Sequence, residues 1–553
     1  MMRSLLHPGR LAAVLCSLAA LLYLCAALAA PGIGQHWLII AGSGVLGAAA
    51  GLALLSADEK GAAWAGTPAG WIIAQLASAA GIFSLIMWCG MRQFGGFDHS
   101  ALIDPAWRIV CGQMPFRDFP CPLPPAFYLG AAWAFERFGV AWRSLVLADA
   151  IFAAATFFWS VALLRRLVER RREALVLAIF LQATTTVLAA YWWYNPVTTV
   201  TGALFFLSAL LWMRRPSSWF ALASYGWSLF LLAAMKPNIA GLLIMGITAV
   251  MFASKTHRWR VLAVSGAAAI AFLFALFLCG LRADDIVSAY AGIGGRGFSL
   301  AQFLQDMTPW EKAFSLAAAG AALAPLFLRC AWRSLGPTQV LGLVAALAGG
   351  YGFVTNGENK LMDLPLVLLG VWFFTFSGAE FRFHKWRVSQ LVLAALLAGT
   401  GFGEALVRDR VRAIGPGAFF DFVTNQVAVS RGFFDGLHGS PVFVEVLKEL
   451  AEALPPEKDK KIWFGPRMQW AYAAFGISPP LRQPSWWHPG VSYSPGEQPQ
   501  LLKEWFNHRF EVLIFLGSDG TYLPDEMLAN IKTGFTYAGN DKFLTILKRR
   551  REP

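Results

Sequence analysis

The sequence predicts a polytopic α-helical membrane protein of about thirteen transmembrane helices, followed by a small soluble α/β domain. Three observations predict it. The 553 residues are 57% hydrophobic and only 14% charged, with 23 Trp and 44 Phe, more apolar mass than the core of a soluble domain needs. Apolar runs of about twenty residues recur up to about residue 408 and then stop. Lys and Arg fall in short clusters in every second connection, the pattern expected where positive residues stay on the cytoplasmic side. The net charge of +13 is therefore spread over helix ends rather than gathered into a nucleic-acid-binding face.

In chain order, the expected spans are about 11–31, 37–56, 71–91, 141–164, 173–193, 196–213, 219–235, 238–253, 260–280, 311–331, 337–355, 363–379 and 387–407. The clusters Arg165, Arg166, Arg170, Arg171 and Arg172, then Arg214 and Arg215, then Lys255, Arg258 and Arg260, then Arg329 and Arg333, then Arg382, Lys385 and Arg387 all fall on one side. Assigning that side to the cytoplasm puts the N-terminus inside and places the loops 92–140, 281–310 and 356–362, with everything after about 408, outside. Arg3, Arg10 and the Ala-rich stretch before Pro31 have features of a signal peptide, but the apolar core is longer than a usual h-region, so an uncleaved helix is expected. Pro124 to Gly139 is apolar but short and is interrupted by Glu136 and Arg137. Counting it as a span would put the five-Arg cluster outside, so it reads as an interfacial or re-entrant helix.

After Arg408 charged residues, Pro and Gly rise. Val442 to Leu454 has helical periodicity; stretches near Lys461–Phe464, Glu511–Leu516 and Phe543–Leu547 read as strands, with helices near Leu501–His508 and Pro524–Lys532 between the later ones. The expected division is a membrane domain, 1–408, carrying the first outer loop, and an extracytoplasmic α/β domain, 409–553, on the periplasmic side of the inner membrane. Five cysteines lie in or beside spans as apolar filler; Cys111 and Cys121 share the outer loop, where spacing alone does not establish a bridge. No Cys or His cluster has zinc spacing.

The chemistry-bearing residues gather at the outer ends of the spans. The first outer loop runs Phe94-Gly95-Gly96-Phe97-Asp98-His99-Ser100, then Ile103-Asp104-Pro105, then Met114-Pro115-Phe116-Arg117-Asp118-Phe119-Pro120. Carboxylates beside a membrane are costly unless used. Asp104, next to Pro105, reads as a helix cap. Tyr191-Trp192-Trp193-Tyr194-Asn195-Pro196 and Met235-Lys236-Pro237-Asn238 mark two further outer turns, and Thr355 to Pro365 a third. Tyr, Trp, Pro and Asn are common at interfaces and helix ends. Lys236 stands apart, because a lone cation on the side depleted in positive charge needs an anion, and a lipid phosphate would supply one.

Together with Ala141-Trp142-Arg143-Ser144-Leu145 leading into the span that ends Leu164-Arg165-Arg166-Leu167, these passages resemble the GT-C membrane glycosyltransferases. The resemblance covers roughly residues 70–260 and is nearest to the polyprenyl- or dolichyl-phosphate-sugar transferases that include protein mannosyltransferases and the lipid A aminoarabinose transferase. It implies transfer of a hexosyl or pentosyl group from a polyprenyl-phosphate carrier to a glycan, lipid or protein acceptor at the outer face, with inversion. The family's acidic residue at the start of the first outer loop falls on Asp98, the expected general base. Where the family often has Asp-Glu, this chain has Asp98-His99; where some members carry Lys before Pro-Pro, it has Cys121-Pro122-Leu123.

That chemistry needs a base for the acceptor hydroxyl and cations for the departing phosphate. Asp118 and His99 are the companions expected for Asp98, the alternative for Asp118 being a salt bridge to Arg117 or Arg108. Lys236 and Arg143 are the expected phosphate contacts, the alternative for Arg143 being a snorkelling interfacial cation. Asn195, Tyr194 and Trp487 are the expected acceptor or sugar contacts. Neither metal nor cofactor is expected; a divalent ion finds no carboxylate cluster beside Asp98, and nucleic acid is excluded as a partner. The competing readings are a polytopic transporter, which would hold charges near mid-membrane and show two related halves, and a non-catalytic envelope assembly protein.

Overall fold

A computed structural model describes residues 67–92, 97–254, 258–291, 335–355, 360–376, 384–411, 432–454, 461–540 and 542–550, with 43–48, 427–430 and isolated residues 94, 319–320 and 323. The expected spans 11–31, most of 37–56 and most of 311–331 lie outside the described residues. The chain folds as two units: residues 1–89, 149–273 and 298–408 form one, and 90–148, 274–297 and 409–553 the other. Residues 90–148 thus group with the C-terminal segment, whereas the sequence reading kept the 92–140 loop with the membrane domain.

The first unit is helical. Among the described residues, Pro68–Gly90, Trp142–Leu167, Tyr194–Arg214, Arg258–Leu278 and Pro337–Thr355 are long and apolar enough to cross a membrane. Shorter apolar helices include Trp219–Ala233, Pro237–Ala253 and Leu364–Phe376. Tyr194–Arg214 is apolar all round and buried along nearly its whole length, which is what a helix enclosed on every side requires. It packs against Trp219–Ala233, Pro237–Ala253, Pro337–Thr355 and Leu364–Phe376. The last two approach backbone to backbone: a Cβ on Gly342 would lie 2.6 Å from the Gly370 carbonyl, and one on Gly370 2.5 Å from the Ala346 amide, the small-residue contact favoured between helices in lipid. Pro68–Gly90 and Arg258–Leu278 instead leave Ile72, Ile73, Leu76, Ile270 and Leu273 exposed, a face suited to hydrocarbon.

The helix expected over 173–193 is Arg171–Ala183 and ends early. Thr184, Thr185 and Thr186 follow it, and their hydroxyls donate to the carbonyls of Phe180, Leu181 and Gln182, a local alternative to continuing the helix. Two of the basic clusters, those at Arg165–Arg166 and Arg214, meet at one end of this unit. Arg214 Nη1 donates to the Leu167 carbonyl (2.8 Å), the Arg166 guanidinium lies 4.3 Å from the Phe220 ring centre, and that of Arg165 5.7 Å from Trp71. Lys236, Asn195 and Tyr194 lie at the opposite end of Tyr194–Arg214, about 30 Å away at 1.5 Å per residue.

The second unit holds Phe97–Val110, Pro125–Phe138 and a four-stranded sheet. A short pair, β1 (Val427–Ala428) and β2 (His438–Gly439), precedes β3 (Ile462–Phe464), β4 (Val512–Leu516), β5 (Phe535–Asn540) and β6 (Leu544–Arg549). The order is β3-β4-β6-β5, with β3 and β4 parallel and the remaining pairs antiparallel. β5 escapes the sequence reading because Phe-Thr-Tyr-Ala-Gly-Asn has little apolar content and carries a register shift between Tyr537 and Gly539. Pro125–Phe138 has only 14 residues and packs on Phe97–Val110.

Long-range hydrogen bonds explain why the first outer loop joins this unit. Ser100 Oγ donates to the Arg467 carbonyl (2.8 Å), Trp107 Nε1 to Ile477 O (2.8 Å) and Gln113 Nε2 to Pro479 O (2.8 Å). The Arg482 amide donates to Asp118 O (2.8 Å) and that of Ser485 to Pro120 O (3.1 Å). Asp104 is no cap: it lies mid-helix, fully buried, and accepts from Arg108 Nε at 2.8 Å. Burial raises its carboxyl to about 6, overriding the neighbouring Arg108 charge and hydrogen bond that pull it down.

Candidate functional site

Lys236 immediately precedes Pro237, the first residue of a 17-residue apolar helix. Proline suits that place because the first helical N–H has no partner within the helix. The Lys236 amide donates to Thr198 Oγ1 (3.3 Å), its ammonium donates to Asn195 Oδ1 (3.3 Å), and the same nitrogen lies 5.3 Å from the Tyr194 ring centre. Lys236, Asn195 and Tyr194, each singled out in sequence, are therefore brought together. Thr198, one turn along from Tyr194, completes the cluster and was missed; nothing marks it among the threonines of that helix.

A lysine at a helix N-terminus faces the positive end of the helix dipole, so side chain and backbone repel each other and both attract an anion. Further down the same helix, Ile244, Met245, Ala249 and Phe252 line a furrow of about 820 Å³, closed on its other sides by Leu229, Leu262 and Phe272 among others. Its lining is almost wholly apolar. The helix Pro237–Ala253 thus carries an anion-attracting residue at its start and one wall of an apolar furrow along its length, the two chemistries of a phosphate with a hydrocarbon chain. On the neighbouring side, a Cβ on Gly352 would lie 2.7 Å from Asp363 Oδ1 and 3.1 Å from Ile239 Cδ1, so a buried carboxylate stands one turn from Lys236 along its helix.

The acids of the outer loop have separate surroundings. Asp98 is the second residue of Phe97–Val110, where a carboxylate favours the helix dipole; its side chain lies outside the described residues. His99 is buried, with its ring 5.2 Å from Phe94 and 5.1 Å from Trp142. Such aromatic packing positions the helix start. Asp118 pairs with Arg117 (2.6 Å) and accepts the Met114 amide (2.7 Å), closing a turn. Burial opposes its ionisation, but hydrogen bonds from Arg117 and Met114 outweigh it and hold the carboxyl below the usual range. The salt bridge weighed for Asp118 is therefore present, with Arg117 as the partner.

Arg143, second residue of Trp142–Leu167, is exposed and has no partner among the described residues. Trp487 needs correction as a sugar contact. It is 2% exposed and packs in a core with Trp463, Tyr493, Leu502 and Trp505, leaving no face on which a ring could stack. Cys111 and Cys121 are free thiols. One acid escaped the sequence reading: Asp149, on the buried face of Trp142–Leu167, has neither carboxylate oxygen hydrogen-bonded among the described residues. A lone Asp inside an apolar run is the signal that could have found it.

No protein-family model matches the chain, and no curated protein does. Among solved structures, it is similar to ArnT from Cupriavidus metallidurans bound to undecaprenyl phosphate, at 11% identity and a TM-score of 0.41 over 87% of this chain and 98% of that one. The apo form of the same protein aligns at 11% identity and a TM-score of 0.39, over 86% and 97% of the respective chains. Likeness this loose carries no weight in assigning a function, which rests on the chain's own residues.

Proposed function

We propose that this chain is a membrane glycosyltransferase that moves a sugar from a polyprenyl-phosphate donor to an acceptor at the outer face of the inner membrane, with inversion. The observation that carries it is the Lys236 cluster, a cation held by Asn195 and Tyr194 at the positive end of an apolar helix that also walls an apolar furrow. A lipid phosphate satisfies both parts at once. The end of Tyr194–Arg214 opposite Arg214 is then extracytoplasmic, the N-terminus cytoplasmic and the C-terminal segment periplasmic.

In the reaction, an acceptor hydroxyl attacks the anomeric carbon, its oxygen forms the new glycosidic bond, and the bond from that carbon to the phosphate oxygen breaks. The proton goes to the base, assigned to Asp98, and the leaving carrier phosphate takes the electron pair. Lys236 stabilises the charge that grows on this phosphate, a contribution made chiefly in the transition state. Arg143 is the second phosphate contact in this reading. The donor is a substrate, and the proposal includes neither metal nor cofactor.

The test is release of polyprenyl phosphate from a panel of polyprenyl-phosphate sugars by the purified full chain in lipid. Lys236→Ala removes a charge-assisted contact of about 1.5–3 kcal/mol, so kcat/KM for the donor falls roughly 10- to 150-fold. Lys236→Arg restores part of it. Asp98→Asn abolishes transfer with thermal stability retained. Unchanged donor kinetics in the alanine variant would remove Lys236 from the site, and turnover with no donor in the panel would remove the transferase reading.

A further inference from the structure

The second unit contains a cleft of about 550 Å³ that the transfer step does not use. One wall is the turn Phe116–Cys121; the other is the segment 491–497 with the facing side of helix Gln498–Asn507. Backbone hydrogen bonds from Arg482 and Ser485 to the carbonyls of Asp118 and Pro120 fix the first wall in place. A capping box between Ser494 and Glu497 fixes the second, with the Ser494 amide donating to Glu497 Oε2 at 2.7 Å. Both walls are therefore built before any ligand arrives.

The lining has an unusual polar character. Tyr493 and Ser492 are 5% and 4% exposed, and neither hydroxyl has a hydrogen-bond partner among the described residues. Burying a hydroxyl without a partner is costly, and buried polar groups in folded proteins are nearly always paired. Burial also raises the Tyr493 phenol, so it stays protonated and able to donate. Phe116 and Arg482, both lining the cleft, adopt left-handed backbone conformations with φ of 65° and 56°. For a bulky side chain that conformation is strained, and such strain concentrates where a protein holds a ligand.

Charge narrows the ligand class. Arg117 is tied to Asp118 (2.6 Å) and Arg482 to Glu504 (3.2 Å), while Glu497 and Gln500 add acceptors and an amide. Each cation already has its carboxylate, so none is free for a phosphate. What remains is a lining of paired donors and acceptors with Phe116 among them, and two unsatisfied hydroxyls buried just beneath it. Vicinal diols answer that arrangement, because each sugar hydroxyl both donates and accepts. The volume lies within the roughly 300–1,000 Å³ of typical small-ligand pockets.

We infer that this cleft binds a neutral saccharide of two or three units through Tyr493, Ser492, Arg482 and Glu504. Its identification as the place where a glycan acceptor docks rests on the transferase reading above; binding itself does not. The experiment uses the full chain in nanodiscs and saturation-transfer NMR with maltotriose, cellotriose, galactobiose and N,N′-diacetylchitobiose. Inorganic phosphate and trilysine are the charged controls.

The expected result is saturable transfer to at least one of the four sugars and to neither control. Tyr493→Phe deletes a hydroxyl with no hydrogen-bond partner among the described residues, so thermal stability holds while sugar affinity falls about threefold to tenfold. Gln500→Trp, at an exposed helix position, fills the cleft and abolishes binding without touching the core. Absence of binding by all four sugars overturns the inference, as does binding that both variants leave intact, or binding of trilysine or phosphate in their place. Sugar binding without donor turnover sinks the transferase reading alone. Donor turnover with the acceptor KM unmoved in both variants sinks the acceptor role.

Discussion

Replacing Arg108 by Met isolates the interaction that ties the first outer loop to the C-terminal segment. Arg108 is 1% exposed; its Nε donates to Asp104 (2.8 Å), its Nη1 to Pro480 O (2.7 Å) and more weakly to Gln113 Oε1 (3.3 Å), and the guanidinium lies 4.9 Å from the Phe119 ring centre. Removing it leaves the Asp104 carboxyl at 0% exposure with no cation, and breaking one partner out of a buried pair costs about 3–5 kcal/mol. At roughly 2–4 °C per kcal/mol for a unit of this size, the unfolding midpoint falls by about 6–20 °C. Replacing both members, Asp104→Leu with Arg108→Met, recovers most of the loss, because two apolar side chains carry no desolvation penalty. The pH dependence follows from the raised Asp104 carboxyl, about 6 when folded against roughly 3.9 unfolded. A raised acid binds its proton more tightly in the folded state, so its contribution is full below about pH 4 and is lost as pH rises through about 6. Asp104→Asn, neutral throughout, flattens that part of the profile. The assay is intrinsic-fluorescence unfolding of the detergent-solubilised chain at fixed scan rate. A single variant within 2 °C of the parent, or a double variant no better than the single, would refute the reasoning.

Two further outcomes are expected. Gly370→Val drives a branched side chain into the Ala346 amide and the Gly342 carbonyl, each 2.5 Å from the first added atom, and forces Pro337–Thr355 and Leu364–Phe376 apart; the fluorescence assay should show a drop of several degrees, and an unchanged midpoint would mean the helices are not so close. Asp149→Leu replaces a buried carboxylate with no hydrogen-bond partner among the described residues by an apolar group of similar size, so the midpoint should rise or hold. A fall of more than a few degrees in that variant would show that Asp149 has a partner worth keeping.

The parts legible in sequence were those written by local contrast. Lys236, Asn195 and Tyr194 stand out because each interrupts an apolar run at a predicted helix end, and residues that break runs at the same end of a bundle are brought together by packing. Several of the described helices, such as Tyr194–Arg214 and Pro337–Thr355, and the strands β3, β4 and β6 were legible for a related reason, since burial imposes periodicity or continuous apolarity on them. Trp487 failed the same logic. An aromatic in a Pro- and Gly-rich segment reads alike whether its ring faces a ligand or a core, and only packing against Trp463 and Trp505 decides. Asp104 and Arg108 failed through a misplaced boundary, because Pro105 suggested a helix start where the helix in fact continues through it. The grouping of residues 90–148 with the C-terminal segment rests on hydrogen bonds between positions some 370 residues apart, such as Trp107 to Ile477 and Arg108 to Pro480. No window-based pattern contains both ends of such a bond. The saccharide cleft is built along that same seam, by Phe116–Cys121 against 482–504. A site made of two segments, neither distinctive by itself, becomes readable only after the fold has paired them.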